Sequence, residues 1–288
     1  MKRILSHVSA LRQSEGVDAI VYRSIGTRSL RHLDPFLMLD EFTNEQGTGG
    51  FPDHPHRGFE TVTYMLKGQI EHEDFEGHRG LIGPGDLQWM TAGKGIVHAE
   101  MPVPGHPVQG LQLWVNLPKK AKMMPPKYQE LKHTEVPVVS SQGTTVKIIA
   151  GESMNVKAAV TTYTPIYYLD VQMKPNSEFV QKIPENYSGF VYILSGKALF
   201  GEDQAVGEPR TTLVLSKEGE SLKVETKEDE IHFVLIAGEP INEPIVQHGP
   251  FVMNSQEEIY ATFMDYQMGK NGFEKAAHWR SEIGQRML

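Results

Sequence analysis

The chain has 288 residues, 39% hydrophobic and 22% charged, the balance of a globular protein with material for more than one core. Its formal net charge of −8 argues against coating nucleic acid by bulk electrostatics. Cysteine is absent, which excludes a disulfide framework, a thiolate metal site and a cysteine nucleophile, so any metal must take nitrogen and oxygen ligands.

The opening MKRILSHVSALRQSEG lacks the apolar run of a signal peptide. No stretch approaches the roughly 18 to 20 apolar residues of a membrane span. The expectation is an intracellular protein, neither secreted nor membrane-bound, whose sequon Asn186-Tyr187-Ser188 carries no glycan. Residues 17–40 alternate short apolar runs with turn signals. ETVTYMLKGQIEHEDFEGHRG then reads as strand, Lys67-Gly68 turn and strand. GPGDLQWMTAGKGIVHAEMP reads as turn, strand, glycine loop and strand, and GLQLWVNLP as one more strand. PKKAKMMPPKYQELKHTEVPVV, rich in proline and lysine, interrupts the pattern as the best linker candidate. The β signals resume with VKIIAGE, AAVTTYTPIYYLDVQM, SGFVYILSGKALFG, TTLVLSKEGESLKVET and IHFVLIAGEP.

Only residues 254–288 read as helix, with Asn254 or Ser255 as cap, Glu257 and Glu258 in the first turn, and Ile259, Phe263 and Tyr266 on one core-facing stripe. This spacing predicts an all-β protein of barrels or sandwiches: a first domain over residues 1–130, a linker over 131–145, and a second domain with the helix over 146–288.

The two halves echo each other. YMLKG at 64–68 matches YILSG at 192–196, an offset of 128, and PGDLQWMTAGKGIVHAE matches EGESLKVETKEDEIHFV at an offset of 134. These offsets set Lys182 and Pro184 against His54 and His56, and His232 and Val234 against His98 and Glu100. The second half thus lacks three of four candidate ligands and reads as a structural or partner-binding domain, with His232 a satisfied core histidine.

The chemistry concentrates in His54-Pro55-His56 and His98-Ala99-Glu100. Residues two apart in a strand share a face, and two such pairs on neighbouring strands of a small barrel can converge on one ion. Three imidazoles and a carboxylate are borderline ligands that suit Fe(II), manganese, nickel, copper or zinc. Glu100 is also the candidate catalytic base. The competing reading is four exposed polar side chains on a barrel rim. Glu60 shares the parity of His56 and reads as either a residue behind the ligands or a barrel-edge ion pair. His72-Glu73-Asp74-Phe75-Glu76 fails the zinc-protease motif, His78 reads as a turn residue, AGKGIVH is no phosphate loop, and Lys119-Lys120-Ala121-Lys122 reads as solvated linker.

The strings LDPFLMLDEF, GGFPDHPHRGFETVTYML, HEDFEGH, GDLQWMTAGKGIVHAEMP, GLQLWVNLP, VLIAGEPINEPIVQHGPFVMN and KNGFEKA closely resemble the pirin family of the cupin superfamily, over residues 15 to 275. The resemblance implies a bicupin: two cupin β-barrels, a single metal ion in the first, and a C-terminal helix. It implies His54, His56, His98 and Glu100 as ligands of one iron ion (Fe2+/Fe3+). It further implies quercetin 2,3-dioxygenase activity, in which a flavonol and O2 react at the metal with release of carbon monoxide. The alternative it implies is a redox-sensitive co-regulator of transcription factors such as NF-kappa-B, in nucleus and cytoplasm, acting as a monomer through protein partners without sequence-specific nucleic-acid binding. A plain structural bicupin is a third reading, opposed by the intact ligand set.

Overall fold

Runs of β-branched and aromatic residues, each closed by a glycine, proline or asparagine turn, become short antiparallel strands throughout the chain. The computed structural model describes residues 1–45 and 47–286. Among these the strands separate into two compact units with the same internal order.

The first-barrel unit comprises Arg12–Arg23, Phe36–His133 and the chain from Ile241 onward. Its large sheet runs Lys127–Leu131, Leu87–Thr91, Phe59–Lys67, Val108–Asn116, Phe36–Asn44, Ala19–Ile25, Leu11–Glu15. Its smaller sheet runs Phe51–His56, Ile96–Pro102, Ile70–Asp74, Arg79–Ile82. The second-barrel unit repeats the plan. Its large sheet runs Ile4–Ser9, Thr211–Leu215, Ser188–Gly196, Ile231–Gly238, Ile166–Met173, Thr144–Ala150, Val138–Ser141; its small sheet runs Glu178–Lys182, Ser221–Glu225, Ala198–Phe200, Ala205–Gly207. This is the two-cupin, all-β architecture with a C-terminal helix.

Four expectations need correction. First, the domains are not contiguous segments. Ile4–Ser9 pairs antiparallel with Thr211–Leu215 and belongs to the second barrel. Lys2 anchors that start, its Nζ donating to the carbonyls of Ser216 and Lys217. The chain after Ile241 packs with the first barrel, where Phe251, Ile259 and Phe273 share a core with Phe75, Ile96 and Val97. Second, the linker candidate is built structure. Lys127–Leu131 is the edge strand beside Leu87–Thr91, and Val138–Ser141 pairs with Thr144–Ala150.

Third, Lys122 is buried, not solvated. Its Nζ donates to the Gly58 carbonyl at 2.8 Å, Asn116 Oδ1 at 2.6 Å and the Val252 carbonyl at 3.1 Å. Three converging acceptors are what let a lysine enter a core. Fourth, the offset of 134 aligns the wrong strands. By sheet order the counterpart of Ile96–Pro102 is Ser221–Glu225, whereas His232 lies on Ile231–Gly238, the counterpart of Val108–Asn116.

The helix matches its signals at its start, but it ends at Met268 on the left-handed Gly269 instead of running on, and residues 270–281 are turns and irregular chain. Ser255 caps α1, Gln256–Met268, in a full capping box with Glu258. Ile259 is buried, and the Tyr266 ring meets Phe251 and Phe273. A second, short helix, α2, spans Glu282–Gln285.

Candidate metal centre

His54 and His56 stand on Phe51–His56, His98 and Glu100 on Ile96–Pro102, and the strands are antiparallel neighbours with His98 opposite His54. Between His98 and Glu100 the register shifts, placing an extra residue on the Phe51–His54 side. Such bulges bend a strand and re-aim its side chains. The three imidazoles meet with centroids 4.4 to 5.0 Å apart, and each offers a nitrogen within 4.8 Å of the other two. Among the described residues this is the one group of at least three His, Asp or Glu side chains whose donor atoms converge so closely.

His54 Nδ1 donates to the Pro52 carbonyl at 2.8 Å, which leaves a lone pair on Nε2. That Nε2 lies 3.0 Å from Nε2 of His98. Two nitrogens each about 2.1 Å from one ion, at right angles around it, are about 3.0 Å apart. His56 and His98 are buried and His54 is partly exposed. Burial, opposed by the Glu100 charge, depresses the His54 pKa. Burial, with the neighbouring histidines second, holds His56 and His98 well below the ordinary imidazole range. Neutral imidazoles are the form that binds a metal, so the donor set and its spacing fit a divalent cation.

Glu100 lies beside the trio, its Oε2 4.0 Å from His98 Nε2. Both its oxygens are held: Thr63 Oγ1 donates to Oε1 at 2.8 Å and Gln112 Nε2 to Oε2 at 3.0 Å. Phe59 and Trp114 set their rings edge-on to His56 at 5.2 and 5.3 Å, fixing its plane. A pocket of about 10 Å³, room for one water-sized molecule, opens beside Glu100 and is lined by Ala19, Phe42, Phe51, Ile70 and Val108. The rim reading of the four residues is thereby overturned, because their side chains converge inside the barrel.

Glu60 is not metal-facing. The turn at Gly58, with φ of +87°, resets parity between the two strands. A Cβ there would strike the Val252 carbonyl oxygen at 2.0 Å, so the turn requires glycine. Thr63, on the site side, and Glu60 fall on opposite faces of one strand, and Glu60 accepts from Thr91 Oγ1 at 2.7 Å. His72 is buried opposite Glu100 with its Nε2 2.8 Å from Glu130 Oε1, while His78 is an exposed partner of Asp74. His232 pairs with the buried Asp170 at 2.5 Å, partly exposed and not a ligand.

In the second barrel the counterpart strands bury Phe179, Gln181, Leu222 and Val224, three of them in its apolar core. None of these four is a histidine, aspartate or glutamate.

Sequence reasoning missed Thr63, Gln112 and Arg57. The available signal was polarity inside the strands: Thr61 and Thr63 are buried where an ordinary barrel strand carries valine or leucine, and Gln112 is half-buried opposite Thr63.

The Pirin family model matches residues 18–115, and the model of the Pirin C-terminal cupin domain matches residues 168–272. Pirin of Homo sapiens is 53% identical over 287 residues, covering 98% of each chain. A pirin-like protein of Solanum lycopersicum is 53% identical over 280 residues, covering 97% of this chain and 96% of its own. The structure of quercetin 2,3-dioxygenase from Acinetobacter baumannii superposes with a TM-score of 0.87 at 34% identity, covering 95% of this chain and 99% of that one. A bacterial pirin from Escherichia coli, solved with nickel(II), shares the fold at a TM-score of 0.66 and 17% identity, covering 83% of this chain and 99% of that one. With the folded halves, the convergent histidines and these full-length relatives in agreement, this chain belongs to the pirin family of cupin proteins.

Proposed function

We propose that this chain is a metal-dependent dioxygenase of the quercetin 2,3-dioxygenase type, with one iron ion held by His54, His56, His98 and Glu100. The observation that carries the reading is the trio of neutral imidazoles beside a carboxylate anchored on both oxygens, at the edge of an apolar pocket. The similarity to the Acinetobacter baumannii enzyme supports the reaction class.

When bound, iron supplies a Lewis acid toward the flavonol 3-hydroxyl and redox chemistry toward dioxygen. Glu100 receives the 3-hydroxyl proton, and Thr63 and Gln112 hold its carboxylate at the angle this transfer needs. Both atoms of dioxygen enter the product, the heterocycle opens and one ring carbon leaves as carbon monoxide. The test is oxygen consumption by anaerobically iron-loaded protein, with and without quercetin, beside a His98→Ala variant. Uptake that requires both quercetin and His98 supports the reading; an iron-loaded protein that consumes no oxygen with quercetin overturns it.

A second reading is a redox-responsive co-regulator present in nucleus and cytoplasm. It is supported by Tyr260, Met264 and Met268, an exposed apolar ridge at four-residue spacing along α1. Ferrous and ferric protein would then bind a Rel-homology domain of NF-kappa-B with different affinities. Equal affinities in titration calorimetry would dismiss it.

A further inference from the structure

Strand alternation turns the four proposed ligands inward and the residues between them outward. On Phe51–His56 and just after it, the outward positions are Asp53, Pro55 and Arg57; on Ile96–Pro102 they are Val97, Ala99 and Met101. Five of these six are held by the chain after residue 250.

Arg57 is 1% exposed. Its Nη1 donates to Asp265 Oδ2 at 2.8 Å and Thr262 Oγ1 at 3.2 Å, both on α1, and its Nη2 to the Asn271 carbonyl at 2.7 Å. Its guanidinium lies 4.7 Å from the Phe273 ring centroid. Asp53 accepts from the backbone N–H of Ser281 at 3.2 Å and from the Ser281 hydroxyl. Val97 packs in the cluster of Phe251, Ile259 and Phe273, while Ala99 and Met101 pack against Ile283 of α2. Glu73, on the third strand of the same sheet, accepts from the N–H of Glu282 at 3.0 Å. Asp53 and Arg57 bracket the His54-Pro55-His56 tripeptide, so the C-terminal segment grips it at both ends.

We infer that residues 251–286 form the outer layer of the metal centre, and that Asp53 and Arg57 are the positioning residues through which this segment sets metal affinity. A histidine on a short strand next to a bulge holds its ring direction only if its backbone neighbours are fixed. Hydrogen-bonded partners behind a metal ligand are commonly worth about 10- to 100-fold in metal affinity. Coupling between two sites is reciprocal, so a bound metal must tighten the C-terminal segment as much as the segment tightens the metal. The inference rests on the metal-site reading and is independent of the dioxygenase chemistry.

The test has two arms. In the unaltered full chain, amide hydrogen exchange over residues 255–283 is compared between metal-free and Fe(II)-loaded protein, with residues 166–238 of the second barrel as internal control. Exchange is expected to slow several-fold in the C-terminal segment and to stay unchanged in the control. In the second arm, Asp265→Asn and Asp53→Asn are titrated with Fe(II) against a chelator. Each is expected to bind about tenfold more weakly, and Asp265→Glu to recover part of the loss. Fe(II) binding with unchanged exchange in residues 255–283 overturns the inference, even where a variant fails to fold; so do variants that bind within twofold of the unaltered chain. No Fe(II) binding by the unaltered chain would instead sink the metal-site reading on which the inference stands.

Discussion

Replacing Glu60 by glutamine should make the first barrel more stable, and by an amount that grows with pH. Glu60 is buried, with Thr91 Oγ1 donating to its carboxyl at 2.7 Å, and burial raises its pKa from the ordinary 4.5 to about 7. Between those values the folded protein keeps a proton that the unfolded chain has released. The stability tied to that proton is therefore fully present below pH 4.5, declines as pH rises, and is lost above about 7. At about 1.36 kcal/mol per unit, the whole shift corresponds to roughly 3 kcal/mol, of which about 2 kcal/mol falls between about pH 5.5 and 8.5.

Glutamine keeps the acceptor for Thr91 and cannot ionise. The stability difference between Glu60→Gln and the unaltered chain should thus rise by about 2 kcal/mol over that range. The assay is urea unfolding followed by tryptophan fluorescence at several pH values. All three tryptophans, Trp89, Trp114 and Trp279, lie in the first-barrel unit, so the signal reports that unit. Other titrating groups act on both proteins alike and cancel in the difference. A difference that changes by less than about 0.5 kcal/mol across the range would refute the reasoning.

Lys122→Met strands the carbonyls of Gly58 and Val252 and the side-chain oxygen of Asn116; the same urea assay should show a loss of about 3 to 5 kcal/mol, and a loss under about 1 kcal/mol would mean water replaces the ammonium. Gln112→Leu removes one of the two donors on Glu100 and should cut quercetin-dependent oxygen uptake about 10- to 100-fold, an outcome checked by kcat in the iron-loaded protein. Deleting residues 1–9 uncovers the edge strand Thr211–Leu215. It should lower the melting temperature of the second barrel and leave metal affinity within about twofold, because residues 1–9 belong to the second-barrel unit and pair with neither strand that carries the candidate ligands.

Much of the fold was legible because strands of a half-buried sheet must alternate and end on turn residues, and this chain follows both rules through most of its length. The helix was legible from its cap, since Ser255 and Glu258 form a reciprocal pair that only a helix start uses. What composition could not reveal was which sheet each terminus joins. Ile4–Ser9 would pair as well, by local pattern, with any open edge; its place beside Thr211–Leu215 follows from long-range register and from the buried Lys2. The proline- and lysine-rich stretch misled for a related reason. Its polarity is that of a loop, yet Lys122 is buried because the carbonyls of Gly58 and Val252, from distant segments, join the nearby Asn116 side chain at its ammonium, and no local window contains all three.

The candidate metal centre was legible to a different degree at each layer. The histidines announced themselves by spacing, because two ligands on one strand must be two residues apart. Thr63 and Gln112 were hidden, because a buried threonine and the half-buried glutamine opposite it stand out only when the parity is known, and the bulge and Gly58 turn break it on either side. The comparison of the two barrels shows what the parity is for. Both use one strand order, so the backbone alone cannot distinguish a metal site from a packed core. On the strands that correspond by sheet order, one barrel carries His54, His56, His98 and Glu100, and the other buries Phe179, Gln181, Leu222 and Val224. An apolar interior is self-sufficient. A polar one must be held in place, and here the Pro52 carbonyl holds His54, Thr63 and Gln112 hold Glu100, and Phe59 and Trp114 pack on His56, while the C-terminal segment covers the outer side. The asymmetry between two barrels of one strand order therefore lies in these partners as much as in the candidate ligands.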